Sequence, residues 1–346
     1  MEKLRELTAF IHTYSRQALK AQELSNRKAV YNMSATEIKR IGVLVLSYGT
    51  PKSIDDIEAY YTHIRRGHPP TPEQLQDLKN RYEAIVGGVF PLRENTDKQV
   101  KALEDRLNEK YPDTTFICYQ GLKHAAPFIE DGVEQIVQDG LTEAVGVVLA
   151  PHYSSMSVGG YMKRAQAKAD ELGLNIRFVR SYHLHPKLIE ALAERVEEAL
   201  NRFEGVEKDR IKVIFTAHSL PEKILEMKDP YPEQLLETSR AVAAKTGLTN
   251  WQFGWQSAGQ TGEPWLGPDV LDVLRTIKQE KQAEHVLICP VGFVSDHLEI
   301  LYDLDIEAQL TARELGLHLE RTRSLNTDPL YMDALSDVVY AQLERN

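Results

Sequence analysis

From residue 41 onward, short apolar runs alternate with longer segments whose apolar residues recur at helical spacing. The runs that read as buried strands are 42–46, 115–118, 144–149, 175–179, 213–216, 252–255 and 285–288. Strands alternating with helices predict an α/β fold with parallel sheets covered on both faces. The order of features also repeats. A run over 116–121, a helix around 128–139 and a strand ending at Ala150-Pro151-His152 have a counterpart in 253–259, a helix around 268–281 and a strand ending at Cys289-Pro290-Val291. This duplication predicts two similar Rossmann-like lobes, 41–190 and 191–346, with a cleft between them that strand ends from both lobes face.

The first forty residues follow a different pattern. Leu4, Leu7, Ile11, Tyr14, Ala18 and Ala21 recur at steps of three and four, which gives one apolar seam on an accessory helix. The segment lacks the apolar core of a secretory signal, and Glu2, Glu6 and Glu23 do not suit an organelle transit peptide. Two readings stay open: a helix packed on the body or on a partner, or a start codon placed too early, with Met33 the true start.

Composition narrows the function. No run of eighteen apolar residues is present to span a bilayer, so integral membrane association is not expected. A formal net charge of −10 argues against nucleic acid as a partner. The two cysteines, Cys118 and Cys289, lie in separate apolar runs and read as core residues of a reducing, cytoplasmic compartment. Two isolated thiols cannot supply the ligands of an iron-sulfur cluster.

Candidate chemistry gathers where strands end. His218 follows the run 211–216 and precedes Ser219-Leu220-Pro221-Glu222, a sequence that reads as a capped helix start. That location is where open parallel sheets bind ligands, and the helix start itself has no need of an imidazole. Other strand ends carry Tyr48, Lys123-His124, His152-Tyr153, Trp255-Gln256-Ser257 and Phe293, a rim suited to a flat aromatic ligand with polar edges. Taken singly, each aromatic equally suits a lobe core. Glu299, Asp303 and Glu307 follow one another at steps of four, which aligns three carboxylates along one helix face. Such a ladder suits a hydrated divalent cation or a solvated surface, and Asp296 with Glu299 also fits a helix cap. Arg65-Arg66 and Arg81-Tyr82 can hold an acidic substrate through their forked guanidinium groups, or simply close helix ends.

Collectively these residues resemble a known family. The motifs Tyr48-Gly49-Thr50-Pro51, Tyr60-Tyr61-Thr62-His63-Ile64-Arg65-Arg66-Gly67, Gly121-Leu122-Lys123-His124, His218-Ser219-Leu220-Pro221-Glu222-Lys223, Gly254-Trp255-Gln256-Ser257, Pro264-Trp265-Leu266-Gly267-Pro268 and the stretch from Pro290 through Ser295-Asp296-His297-Leu298-Glu299 look like those of ferrochelatases, in the family's order. The resemblance is in detail to the short, soluble Gram-positive type. It implies the chelatase fold and insertion of Fe(II) into coproporphyrin III to form coproheme in heme biosynthesis. A protoporphyrin IX enzyme and a non-catalytic heme or coproheme carrier are the alternatives.

The resemblance also assigns roles. His218 and Glu299 match the family's metal- and proton-handling pair on opposite faces of the porphyrin, with His218 expected to be a neutral general base. Tyr48 matches an axial tyrosine, while Arg65, Arg81, Tyr82 and Tyr161 match positions around the macrocycle and its propionates. Trp255 matches a cleft-wall aromatic, and Asp303 and Glu307 match an acidic path for the metal. The implied partners are the porphyrin and ferrous iron, with transient contact to a downstream heme-pathway enzyme and a monomeric body. No resident cofactor beyond the substrate iron is implied. In one departure, Gly87-Gly88-Val89-Phe90 places phenylalanine where the subfamily often has serine.

Overall fold

The computed structural model describes residues 38–86, 90–259 and 262–344. The helix read from Leu4 to Ala21 and the stretch Gly87-Gly88-Val89 lie outside the described residues. All seven expected strands form. The first sheet contains β1 (Lys39–Ser47), β2 (Thr114–Leu122), β3 (Glu143–Val148) and β4 (Asn175–Val179), in the order β2-β1-β3-β4. The second contains β5 (Ile211–His218), β6 (Trp251–Gln256), β7 (His285–Cys289) and an unexpected β8 (His318–Arg321), in the order β6-β5-β7-β8. Only Leu319 of β8 is buried, so this edge strand carries neither an apolar run nor an alternation to betray it.

The two sheets are parallel and share one topology. Gly42 lies opposite Ala144 across β1 and β3, as Ile211 lies opposite His285 across β5 and β7. Even the exits correspond: Leu122 N donates to Pro127 O at 2.8 Å, and Trp255 N to Pro268 O at 2.9 Å. In each sheet the chain first runs to one side of the opening strand and then to the other. The order therefore reverses beside β1 and beside β5, which opens a crevice at the carboxyl ends of those strands. Tyr48 follows one reversal point and His218 ends at the other.

Twelve α-helices are described. They are α1 (Ile57–Ile64), α2 (Pro72–Val86), α3 (Pro91–Lys110), α4 (Ile129–Gln138), α5 (Val158–Leu172) and α6 (Pro186–Leu200), then α7 (Lys223–Glu226), α8 (Tyr231–Thr246), α9 (Val270–Gln279), α10 (Leu298–Leu301), α11 (Gln309–Leu315) and α12 (Pro329–Tyr340). Apolar residues recur on one face of α4 and α9, and those faces cover the outer sides of the two sheets through Ile129, Val133 and Ile136, and through Val270, Leu274 and Ile277. Between the sheets, Val43, Val45, Leu188, Val213, Phe215, Leu235, Tyr331 and Leu335 form one continuous core. Each fully buried side chain of this size contributes about 1.5–3 kcal/mol. The shared core therefore fixes the two sheets to each other, and with them the two sets of strand ends. A smaller cluster of Ile57, Tyr82 and Phe90, with Leu75, Leu78 and Leu298 against it, joins α1 and α2 to the start of α10.

Candidate functional site

A cavity of about 480 Å³ opens where the strand ends of both sheets meet α1 and α2. Tyr48 and Gly49 after β1, Leu149 and His152 after β3, His218 at the end of β5 and Gly292-Phe293 after β7 all line it. Two glycines make this convergence possible. Gly49 sits at φ +85°, a left-handed conformation that turns the chain directly after Tyr48. A Cβ on Gly292 would lie 2.4 Å from the Ala217 methyl, so only glycine lets the segment after β7 pass the residue before His218.

The local structure around His218 differs from the expected capped helix. Ser219 does not cap one: its Oγ donates to Leu266 O at 2.7 Å, and α7 begins only at Lys223. His218 Nδ1 donates to Ser219 O, which turns Nε2 toward Glu299 Oε1, 3.6 Å away. The other Glu299 oxygen lies 3.6 Å from His297 Nε2. Burial works against charge on His218. The facing Glu299 carboxylate, its hydrogen bond and the Ser219 carbonyl outweigh it and raise the imidazole pKa to about 9. Burial likewise works against the Glu299 charge, and the two imidazoles overcome it and hold the carboxyl well below the usual range. The pairing with Glu299 thus favours the imidazolium form of His218. The sequence reading expected a neutral imidazole here, with Glu299 on the opposite face of the porphyrin and not in direct contact.

Glu299 belongs to α10, and the regular helix expected to carry the acidic ladder stops there. Residues Asp303–Ala308 form a π-helical turn, in which Glu307 N donates to Tyr302 O at 3.0 Å. Such turns are concentrated at functional sites. Asp296 is no cap either; its carboxylate accepts from Ser324 Oγ at 2.7 Å and Asn326 Nδ2 at 2.9 Å. Asp303 bonds Ser257 Oγ and lies 3.8 Å from Arg81 Nη1. Burial, reinforced by the charge of Glu299, raises the Asp303 pKa to about 7. Burial also raises Glu307.

Of the ten residues singled out from sequence, the cavity brings together His218, Glu299, Tyr48, Tyr82 and Tyr161. The other five stand outside its lining. Asp303 and Glu307 continue from Glu299 along the π-helical turn. Arg81 pairs with Asp77 at 3.0 Å and lies over the Tyr302 ring, while Arg65 donates to His68 O at 3.2 Å. Trp255 is buried against Phe253 and Tyr231, and it is Tyr231 that lines the cavity. Tyr231 lines the cavity without having been named from sequence, while Tyr60 and Lys123 line it after appearing in the sequence motifs without an assigned role. Tyr60 donates to Gly49 O at 3.1 Å and Tyr231 to His218 O at 3.1 Å, so both brace strand ends from helices whose patterns showed only amphipathicity.

A family model described as Ferrochelatase matches residues 40–343. The chain belongs to the ferrochelatase family. A coproporphyrin III ferrochelatase from Geobacillus kaustophilus is 49% identical over 302 residues, 87% of this chain and 95% of that one. One from Bacillus subtilis is 48% identical over 308 residues, covering 89% and 99% of the two chains. Family members thus align through both sheets and through every element of the cavity. Among solved structures, SirB from Bacillus subtilis with Fe3+ superposes with a TM-score of 0.56 at 12% identity, over 89% of this chain and 98% of that chain. The sirohydrochlorin chelatase SirB of Bacillus subtilis subspecies spizizenii, in complex with cobalt, gives 0.53 at 11% identity, over 88% and 96%. At that identity the likeness is one of fold, and the fold is the chelatase fold.

Proposed function

We propose that this chain inserts Fe(II) into coproporphyrin III to give coproheme, a step of heme biosynthesis. The observation that carries the reading is the His218–Glu299 pair, 3.6 Å apart within a cavity walled by tyrosines. Relatives at 48–49% identity bear the name coproporphyrin III ferrochelatase.

Insertion releases two pyrrole protons and strips water from the incoming iron. Glu299 receives the ion. A dication bound there offsets the Glu299 charge, the largest influence that favours the imidazolium, so that burial weighs more heavily against a charged His218. His218 loses its proton and becomes a base beside the macrocycle at the moment one is needed. Asp303 and Glu307 supply further carboxylates from Glu299 outward, with Asp303 poised near neutrality to give or take a proton. In this reading Tyr48 faces the metal, and Tyr82 and Tyr161 flank the ring, roles supported by their place in the cavity lining. Arg65 and Arg81 act at the rim, Arg81 by holding Asp303. Trp255 supports Tyr231 from behind.

The reaction so described needs no resident cofactor and no iron-sulfur cluster. No helix among the described residues is long and apolar enough to cross a membrane. A monomeric, cytoplasmic enzyme that hands its product to a downstream heme-pathway enzyme completes the proposal.

The test is anaerobic incubation of the purified chain with Fe(II) and either coproporphyrin III or protoporphyrin IX, followed by absorbance. Faster insertion into coproporphyrin is expected, with a loss of about 100-fold or more in His218→Ala at unchanged porphyrin binding. Preference for protoporphyrin overturns the substrate. Binding without insertion by the wild type leaves a heme or coproheme carrier.

A further inference from the structure

Lys123 is the one lysine or arginine among the described residues that line the cavity. It is the first residue beyond β2, and its backbone is fixed from both sides: its N donates to Ser47 O at 2.9 Å and its O accepts from Arg164 Nη1 at 2.9 Å. Its ammonium lies 5.2 Å from the ring centre of Tyr161 and 5.9 Å from that of Tyr48. No carboxylate pairs with it among the described residues. The charges that reach it come from Arg164 and Arg66, both positive, and Arg164 is already held by Glu130 at 2.8 and 2.7 Å. Burial, and then these two cations, lower its pKa.

An ammonium half stripped of water, repelled by its neighbours and facing only two aromatic rings is in a costly position. Two cation–π contacts return only about 0.5–1 kcal/mol each at partly exposed sites. A carboxylate that enters the cavity supplies the missing partner. We propose that Lys123 anchors a porphyrin propionate beside Tyr48 and Tyr161 and so selects a ring that carries propionates there over one that carries vinyl groups. The inference rests on the substrate reading above and names what within the cavity enforces it. Selection has two sides: a propionate gains a charge-assisted hydrogen bond, and a vinyl group leaves the ammonium desolvated without a partner. Arg65 and Arg81 cannot do this from their positions, because they lie outside the lining and are engaged with His68 and Asp77.

The experiment measures porphyrin binding without iron, by fluorescence quenching of coproporphyrin III and protoporphyrin IX on the full chain, wild type against Lys123→Met and Lys123→Arg. Methionine keeps the stem and removes the charge. Expected for Lys123→Met is a loss of about 10- to 100-fold in affinity for coproporphyrin III, no loss for protoporphyrin IX, and partial recovery in Lys123→Arg. Equal losses for both porphyrins, or no loss for coproporphyrin, overturn the proposal. If Lys123→Met does not fold, Lys123→Gln takes its place under the same criteria. Because no iron is present, failure of the wild type to insert metal would overturn the enzymatic reading and leave this comparison intact.

Discussion

Gln256 Nε2 donates to the backbone carbonyl of Glu299 at 2.9 Å. The same side chain accepts from Thr216 Oγ1 at 2.8 Å, and the Gln256 carbonyl accepts from Ser219 N at 2.8 Å. One buried residue thus ties the turn that carries Glu299 to the strand end that carries His218, and it sets their separation.

Gln256→Leu keeps the bulk and deletes this tie. It takes one hydrogen bond from the Glu299 carbonyl and leaves the buried Thr216 hydroxyl without this partner, the latter at a cost of about 1–3 kcal/mol. A displacement of about 1 Å at the pair is enough for a 100-fold loss of rate. The expected outcome is a clear fall in kcat with porphyrin affinity held within about twofold. If KM rises and kcat does not fall, Gln256 serves the pocket wall and not the pair.

Asp303 gives a prediction in pH. Its folded pKa of about 7 lies above the value of about 3.9 for a free aspartate. Between those values the folded state binds more protons than the unfolded state, so stability falls as pH rises through that window. Asp303→Asn has no such proton to lose. Its Tm should match the wild type near pH 4, pull ahead as pH rises, and hold a constant lead above pH 7. A lead that is the same at every pH would show that desolvation of Asp303 is not its origin. Insertion activity should fall in the same variant that gains stability, as expected for strain held at a working site.

The fold was legible because each central strand is a short apolar run buried on both faces and each helix carries one apolar stripe; β1 and β5 needed nothing more. β8 was not, since an edge strand with a single buried residue has no pattern. At the site, His218, Glu299 and Tyr48 stood out because each breaks the pattern of its element at a strand or helix end. The π-helical turn was hidden: Glu299, Asp303 and Glu307 read as a regular ladder, and residue types alone do not say that Glu307 N bonds Tyr302 O, the i−5 carbonyl. The upward push on the His218 pKa was hidden for a different reason. It depends on a carboxylate 81 positions away in the chain, brought to 3.6 Å only by the second sheet and α10. Arg81 shows the same limit, since a guanidinium that sequence assigns to an incoming carboxylate is already held by Asp77 and Asp303.

Phe90 occupies the position where the resemblance pointed to a serine, and its ring does not line the cavity. It is 6% exposed and packs on Tyr82 with ring centres 4.6 Å apart, inside the small cluster that holds α1 and α2 over the site. Tyr82 in turn shares a hydrogen bond of 3.2 Å with Thr50, beside the Tyr48 turn. Phe90→Ser removes the ring and should cost about 3 kcal/mol or slightly more, the range for deleting a buried phenylalanine side chain. This cluster is separate from the main core, so the loss should fall on α1 and α2 before the sheets. Hydrogen exchange is expected to quicken across Ile57–Ile64 and Pro72–Val86 while β1 and β5 stay protected, with porphyrin KM rising more than kcat falls. Unchanged exchange in those two helices, at full stability, would mean that Phe90 does not secure the roof of the cavity and that the serine position can be filled without consequence.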